Sequence, residues 1–183
     1  MELRSFLVRL VDKSGGKISG RVRLQKLIYF CKALGADINV SYRLYVYGPF
    51  CQQVADTLQD CVMEDILSEQ GGIIQKGSEF EEHLDPAADE SAPLSGISLQ
   101  IMEDVLKFCE PLSTRELEIT ATAFFIDRQQ KVLFGCNDQA AVIDKVIRAK
   151  GKRFSREEID RSYERVIEGC FPLVEKYMAI EKK

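Results

Sequence analysis

The chain has 183 residues, of which 45% are hydrophobic and 30% are charged, and its formal net charge is −4 at pH 7. This length suits one compact unit or two small subdomains, and the composition is that of a globular rather than a disordered protein. Its apolar runs fall short of the ~18 residues that a membrane span requires, and the N-terminus runs directly into an amphipathic pattern without a signal-peptide core. We therefore expect a cytoplasmic protein with no membrane partner.

The charge is unevenly distributed along the chain. Residues 1–50 contain nine Lys or Arg and three Asp or Glu, residues 51–130 contain four and seventeen, and residues 131–183 contain twelve and nine. The two ends are therefore basic, and the middle is strongly acidic. Because an acidic segment repels a polyanion, any contact with nucleic acid is expected to come from the two ends.

Six cysteines and one histidine bound the possible metal and catalytic chemistry. The cysteines lie at positions 31, 51, 61, 109, 136 and 170, and no two of them have the CxxC spacing of a zinc knuckle. Since free cysteine behaves as a small hydrophobe, we expect reduced, partly buried thiols and neither a metal nor a cofactor. Cys51 and His83 are the candidates for an enzymatic role, against the simpler interpretations of a packed first-turn residue and an exposed side chain.

Apolar periodicity predicts two helices at the start of the chain. Residues 2–12 have apolar side chains at helical spacing, and Ser14-Gly15-Gly16 ends the pattern. A second helix is predicted to begin after Ser19-Gly20 and to end at Gly35.

The next elements are a strand, a helix and a hairpin. Residues 42–47 alternate and are rich in strand-forming residues, so they predict a β-strand that Gly48-Pro49 ends. Helical periodicity returns over 51–68, and residues 73–80 resemble a short hairpin, the usual form of a wing. This order predicts a winged-helix-like N-terminal subdomain over residues 1–84.

The C-terminal half is predicted to be helical throughout. Residues 85–96 have the prolines and small polar residues of a linker, which leaves a helical subdomain over 97–183. Capping boxes at Ser113–Glu116 and Ser155–Glu158 mark two helix starts. Helices are predicted near 98–109, 114–128, 139–150 and 156–168, with Pro172 in the first turn of a last one. The fold class is therefore mainly α with a small β-hairpin.

The most distinctive residues form two motifs, a helix that reads RLQKLIYF at 23–30 and a turn that reads YGPF at 47–50. This pair resembles the YwgA-like family of uncharacterised proteins and, more distantly, the Panacea (SocA-like) antitoxin domain. The likeness covers about residues 18–68 and extends weakly to Arg115–Thr122. It implies an α-rich, winged-helix-like fold and a regulatory or toxin-neutralising role, and it implies no catalytic residues.

The motif pair has two interpretations in physical terms. It is either a packing and turn signature, in which Pro fixes φ and Gly relieves crowding, or part of a partner surface. Because side chains alternate along a strand, residues 43, 45 and 47 are expected to share one face beside the second helix. The candidate partner-binding residues are Arg21, Arg23, Lys26, Arg43, Tyr45 and Tyr47.

Nucleic-acid binding is what a winged helix first suggests, because the helix before the wing usually enters the major groove. Here the predicted helix carries no cation, and its carboxylates oppose a polyanion: Asp56, Asp60, Glu64, Asp65 and Glu69. An unconventional basic face remains open as an alternative. It would use Lys13, Lys17, Arg21, Arg23 and Lys26, with Lys145, Arg148, Lys150, Lys152 and Arg153.

Protein binding fits the charge pattern better than nucleic-acid binding. The acidic helix and the carboxylates at 79, 81, 82 and 85 would attract a basic partner, although a solvated acidic surface needs no partner at all. We therefore expect a non-enzymatic regulatory or adaptor protein that acts through protein–protein contacts. A nucleic-acid-binding regulator and an enzyme of unknown reaction are the alternatives.

Overall fold

The computed structural model describes residues 3–84, 95–135 and 138–180. Within these ranges the chain forms eight α-helices: α1 (Leu3–Lys13), α2 (Arg21–Ala33), α3 (Gln52–Met63), α4 (Gly96–Cys109), α5 (Thr114–Phe134), α6 (Gln139–Lys150), α7 (Arg156–Arg165) and α8 (Phe171–Ile180). Five short strands accompany them: β1 (Lys17–Ser19), β2 (Arg43–Tyr45), β3 (Gly48–Phe50), β4 (Leu67–Gln70) and β5 (Ile73–Lys76). The prediction of a mainly α fold with a small hairpin is confirmed. Most of the predicted linker, residues 85–94, lies outside the described residues.

The N-terminal half contains a three-stranded antiparallel sheet with the strand order β1-β5-β4. The sequence did not reveal β1, which pairs with β5 in the register Ile18↔Ile74. The hairpin predicted over 73–80 is shifted, because β4 and β5 pair across a turn at Gly71-Gly72. Both glycines have positive φ, 58° and 76°, which is the conformation that such a two-residue turn demands.

Helix α3 is shorter than predicted. It ends at Met63 rather than near Ser68, and Asp65 adopts a left-handed conformation with φ 55°. Ile66 and Leu67 continue the apolar spacing of the helix, but they are buried at the entrance to β4. Apolar spacing alone therefore did not separate the end of a helix from the start of a strand.

The strand predicted over 42–47 is in fact one arm of a second hairpin. Strand β2 pairs with β3 in the register Leu44↔Pro49, so Gly48-Pro49 lies within a strand instead of ending one. Val46 and Tyr47 form the turn between the two strands. The prediction that Tyr47 shares a strand face with Arg43 and Tyr45 is therefore wrong, because Tyr47 lies in the turn.

The C-terminal helices pack around α5. Every residue of α5 from Leu117 to Asp127 is buried, and the helix contacts α2, β3, α6 and α7. Aromatic rings join it to α2, since Phe30 stacks on Phe124 with their centroids 6.0 Å apart. Helix α5 is thus the central helix of a core to which both halves contribute, while the division into subdomains at 1–84 and 97–183 stays a prediction.

The predicted helix starts in the C-terminal half are confirmed. Both capping boxes are formed, at Ser113 with Glu116 and at Ser155 with Glu158. After α7 the chain makes one π-helical turn over Val166–Cys170, and Pro172 occupies the first turn of α8. None of the helices in the described ranges is long and apolar enough to cross a lipid bilayer.

Candidate site at the β2–β3 hairpin

The two sequence motifs meet in the folded protein, because consecutive side chains of α2 bind the backbone of the β2–β3 hairpin. The Gln25 amide donates to the Cys51 carbonyl over 2.9 Å and accepts from the Cys51 N–H over 3.0 Å. The Lys26 ammonium donates to the carbonyl of Pro49 over 2.8 Å. The LQK sequence and the YGPF motif are therefore in direct contact in the folded protein.

Side chains of α5, of α6 and of the segment that follows α6 contact the same hairpin. Glu118 is only 4% exposed, and its carboxylate accepts from Lys150 over 2.6 Å and from Arg153 over 2.7 Å. Both cations also donate to the carbonyl of Val46 at the hairpin turn. The resulting buried polar cluster, Lys26, Glu118 and Lys150, fixes the hairpin against three helices, and the partly exposed Arg153 joins it at its edge.

Glycine is required at position 48 for this fit. Its φ is +85°, and a Cβ there would lie 2.6 Å from the hydroxyl oxygen of Thr122 and 3.3 Å from the carbonyl oxygen of Glu118. The Thr122 hydroxyl itself donates to that Glu118 carbonyl over 2.7 Å. The hairpin can approach α5 at backbone distance only because residue 48 has no side chain.

The buried polar cluster contains more positive than negative charge. Glu118 is the one carboxylate among its three members, against Lys26 and Lys150, and the partly exposed Arg153 adds a further cation. Burial lowers the pKa of Lys26 to about 8, since Glu118 offsets this effect only in part and Lys150 adds to it. Burial also lowers the pKa of Lys150, which the hydrogen bond to Glu118 opposes. Two buried lysines against one buried carboxylate form an uneven charge balance that favours the approach of an anion.

A pocket of about 300 Å³ opens beside this cluster, between α2, α3 and the hairpin. Four predicted site residues line it together: Arg21, Lys26, Tyr45 and Tyr47. Its remaining walls are mostly apolar and include Leu24, Phe50, Val54, Ala55 and Leu58. We call this cavity the hairpin pocket.

Two of the predicted site residues do not line the hairpin pocket. Arg43 is exposed on β2, outside the pocket. Arg23 donates to the carbonyls of Cys109 and Leu112, over 2.8 Å and 2.7 Å, and so holds the C-terminal end of α4 against α2. The guanidinium of Arg23 therefore has a structural role in joining these two helices.

The prediction that Lys26 lies on an open surface is wrong. Its side chain is only 1% exposed, because the hydrocarbon stem packs in the core while the ammonium reaches Pro49. Arg21 stays at the surface, where its guanidinium forms a bidentate contact with Glu69 at 2.6–3.0 Å.

The tip of the hairpin exposes four consecutive apolar or aromatic side chains. Tyr45 is 66% exposed and Tyr47 is 52% exposed, with Leu44 and Val46 exposed between and beside them. Each tyrosine ring has a contact within the protein. Tyr45 contacts the ring of Phe50, and the guanidinium of Arg153 lies 4.7 Å from the ring centroid of Tyr47.

The acidic helix that argued against DNA readout is not formed as predicted. Only Asp56 and Asp60 lie on α3, because the helix ends before the other three carboxylates. Two of those three are paired, Glu64 with Arg4 at 2.6 Å and Glu69 with Arg21 at 2.6 Å. The electrostatic repulsion that α3 would exert on a nucleic acid is therefore smaller than the sequence indicated.

The two candidates for an enzymatic role, Cys51 and His83, are not among the residues that line the hairpin pocket. Cys51 is buried and its backbone is bound by Gln25, whereas His83 is exposed in a short 3₁₀ turn at Glu81–His83. The five described cysteines are free and buried, and Cys136 lies outside the described residues. Within the described ranges, no three His, Cys, Asp or Glu side chains gather to hold a metal.

The sequence did not predict that residues of the C-terminal half hold the hairpin, although Lys150 and Arg153 were named in the alternative basic face. Glu118, Thr122 and Lys150 come from distant parts of the chain, and only their burial in the folded protein reveals their roles. The weak family resemblance over Arg115–Thr122 was the signal in the sequence that pointed to helix α5. It falls on the segment that contacts the YGPF turn.

Fold and site together define a mainly helical protein in which a buried polar cluster fixes a short, apolar-tipped hairpin beside a pocket. No family model matches the chain. The chain is 24% identical over 170 residues to "Uncharacterized protein YwgA" of Bacillus subtilis (strain 168), a match that covers 86% of this chain and 91% of that protein. This similarity supports a distant relationship to YwgA-like proteins, and the name of the relative carries no function.

Proposed function

We propose that the protein is a non-enzymatic, cytoplasmic regulatory or adaptor protein that binds a protein partner through the β2–β3 hairpin. The observation that carries this proposal is the run of exposed apolar side chains at the hairpin tip, Leu44, Tyr45, Val46 and Tyr47. Isolated exposed hydrophobic residues are ordinary, but four in sequence next to an apolar pocket are typical of an interaction surface.

The rigidity of the hairpin supports the same proposal. Its backbone is bound at Val46, Pro49 and Cys51 by buried side chains from α2 and α6. A surface that is already ordered loses little conformational entropy when a partner binds. Tyrosine is also among the residues that most often dominate binding energy at protein interfaces.

The resemblance to the Panacea (SocA-like) antitoxin domain extends the proposal to the kind of partner. The helix and the turn that carry the resemblance build the hairpin and one wall of its pocket. The finer form of the proposal is therefore that the partner is a toxin, which the hairpin surface neutralises. It also includes the winged-helix-like arrangement that the family implies.

Photo-crosslinking tests the proposal directly. We would replace Tyr45, and separately Tyr47, by benzoylphenylalanine in cells, and use Met178 of α8, which is 53% exposed, as the control position. We expect one protein to be captured from the hairpin positions and not from position 178. The captured protein, once purified, should bind the wild type and not the Tyr45→Ala variant; adducts that are equal at all three positions would contradict the proposal.

Nucleic-acid binding is the second candidate, and the order of elements favours it. The N-terminal half runs α1, β1, α2, the β2–β3 hairpin, α3 and the β4–β5 hairpin, with the sheet order β1-β5-β4, and this order supports the proposal of a winged-helix-like unit. Among the residues of the basic face, Lys17 is exposed on β1, whereas Lys26 and Lys150 are buried and Arg23 is committed to α4. Duplex binding that weakens steeply with salt and is lost on Lys17→Glu would support this candidate. Arg23→Glu is unsuitable because it would disturb the fold.

A further inference from the structure

We propose that the hairpin pocket receives the C-terminal residue of a partner protein, with its side chain against the apolar walls and its terminal carboxylate on the ammonium of Lys26. This inference rests on the proposed function, because it names the part of the partner that the hairpin surface recognises.

The size and lining of the pocket fit a single residue. At about 300 Å³ it lies at the lower end of the range for ligand pockets, roughly 300–1,000 Å³. Leu24, Val54 and Leu58 form its apolar wall and are themselves buried. A longer polar segment would leave its backbone groups without partners against such a wall, whereas one apolar side chain would not.

Lys26 supplies the charge that selects an anion. In the described residues its ammonium has one hydrogen bond, to Pro49, although an ammonium has three donors. The carboxylate of Glu118 is already shared by Lys150 and Arg153, and Arg21 at the rim is paired with Glu69. Lys26 is therefore the cation of this pocket that lacks a carboxylate of its own.

A chain end matches this combination better than an internal acidic residue does. A C-terminal residue carries its carboxylate and its side chain on the same Cα, so both enter a small cavity together. An internal Asp or Glu would have to bring two flanking peptide groups with it. A buried cation beside an apolar wall is therefore complementary to an apolar C-terminal residue.

Peptides of matched sequence test this inference on the full chain. The probes are pentapeptides Gly-Ser-Gly-Ser-X, with X as Leu, Phe or Met, each prepared as the free acid and as the C-terminal amide. A third set, capped at both ends, carries Asp before the apolar residue in the interior. Binding is followed by ¹H–¹⁵N NMR shifts of residues 24–26, 45–50 and 54–58.

We expect at least one free acid to saturate these shifts and to bind about tenfold or more tightly than its amide, as a charge-assisted hydrogen bond allows. Equal affinities of acid and amide would overturn the role of Lys26. Tighter binding of the internal Asp peptide would overturn the chain end as occupant. If no free acid shifts the pocket residues, the inference fails as a whole.

Two variants separate the pocket from its charge. Ala55→Phe fills the cavity from the half-buried rim and should abolish binding of acid and amide alike. Lys26→Met should weaken binding of the acid much more than binding of the amide, and so remove the advantage of the acid. Arg43→Gln, on the same hairpin but exposed outside the pocket, is the control and should keep that advantage. If Lys26→Met does not fold, the Ala55→Phe result and the comparison of acid with amide decide the question.

Failure here is distinguishable from failure of the proposed function. Crosslinks from positions 45 and 47 report any partner on the hairpin, whatever part of it enters the pocket. Crosslinking without an acid preference would remove the inference and leave the protein-binding proposal intact.

Discussion

Gly48 lies so close to Thr122 that a methyl group at residue 48 would come within 2.6 Å of the Thr122 hydroxyl oxygen. The same glycine has a φ of +85°, which L-residues rarely adopt. Hairpin and central helix are thus fitted to each other at the level of the backbone, and the position of the proposed binding surface depends on this contact.

Gly48→Ala should be strongly destabilising for that reason. The left-handed backbone costs about 1–2 kcal/mol and the overpacking about 1–3 kcal/mol, so we expect a loss of roughly 3 kcal/mol in the free energy of unfolding. Urea denaturation measures it. The control is Gly71→Ala, where φ is +58° but nothing lies within 4 Å of the added methyl, so only the conformational cost applies. Equal losses for the two variants would show that the contact with Thr122 has no consequence.

Glu118→Gln should destabilise the protein even though it preserves the shape of the side chain. It leaves Lys150 and Arg153 without their carboxylate, and breaking one partner of a buried ion pair costs about 3–5 kcal/mol. Asp160→Asn is the matched control, since Asp160 pairs with Arg156 across one turn of a surface helix and such pairs contribute about 0.5 kcal/mol or less. Thermal or chemical denaturation of both variants checks the contrast, and a loss at residue 118 no larger than at residue 160 would contradict it.

Local signals predicted much of the fold. The capping boxes at Ser113 and Ser155 located two helix starts because each is a hydrogen-bonded device within four residues of sequence. The strands were harder to predict. Strand β1 has three residues, and the pairing of β2 with β3 was hidden because Gly48-Pro49 is typical of a turn.

The candidate site was predicted only in part. The sequence selected Lys26 and Tyr47 as notable, but it placed Lys26 on the surface because lysine is usually exposed. The partners of the hairpin, Glu118 and Lys150, lie 32 residues apart, and no local pattern joins them. Contacts of this kind follow from tertiary packing, which a single sequence does not reveal.

Lys26→Met should change the pH dependence of stability in a defined direction. Burial lowers the pKa of Lys26 in the folded protein to about 8, against 10.5 for an ordinary lysine. Between these values the unfolded chain holds a proton that the folded chain has lost, so the free energy of unfolding rises with pH across that window. The methionine variant lacks this contribution.

The difference in stability between wild type and Lys26→Met should therefore move in favour of the wild type between about pH 8 and pH 10.5. From the shift in pKa, the change is at most about 3 kcal/mol. Denaturation of both proteins across this range measures it, since other groups titrate in both and cancel. A difference that stays constant or moves the other way would show that Lys26 keeps its proton.

Gln25→Ala and Tyr45→Ala should separate the residues that shape the hairpin from those that a partner contacts. Gln25 satisfies both backbone groups of Cys51, so its loss leaves a buried donor and a buried acceptor unpaired, at about 1–3 kcal/mol each. Tyr45 is two-thirds exposed, and its removal should change the free energy of unfolding by no more than about 0.5 kcal/mol. If the hairpin is a binding surface, Tyr45→Ala should nevertheless lose the partner that crosslinking identifies. A Tyr45→Ala protein that is stable and still binds that partner at full affinity would place the binding surface elsewhere.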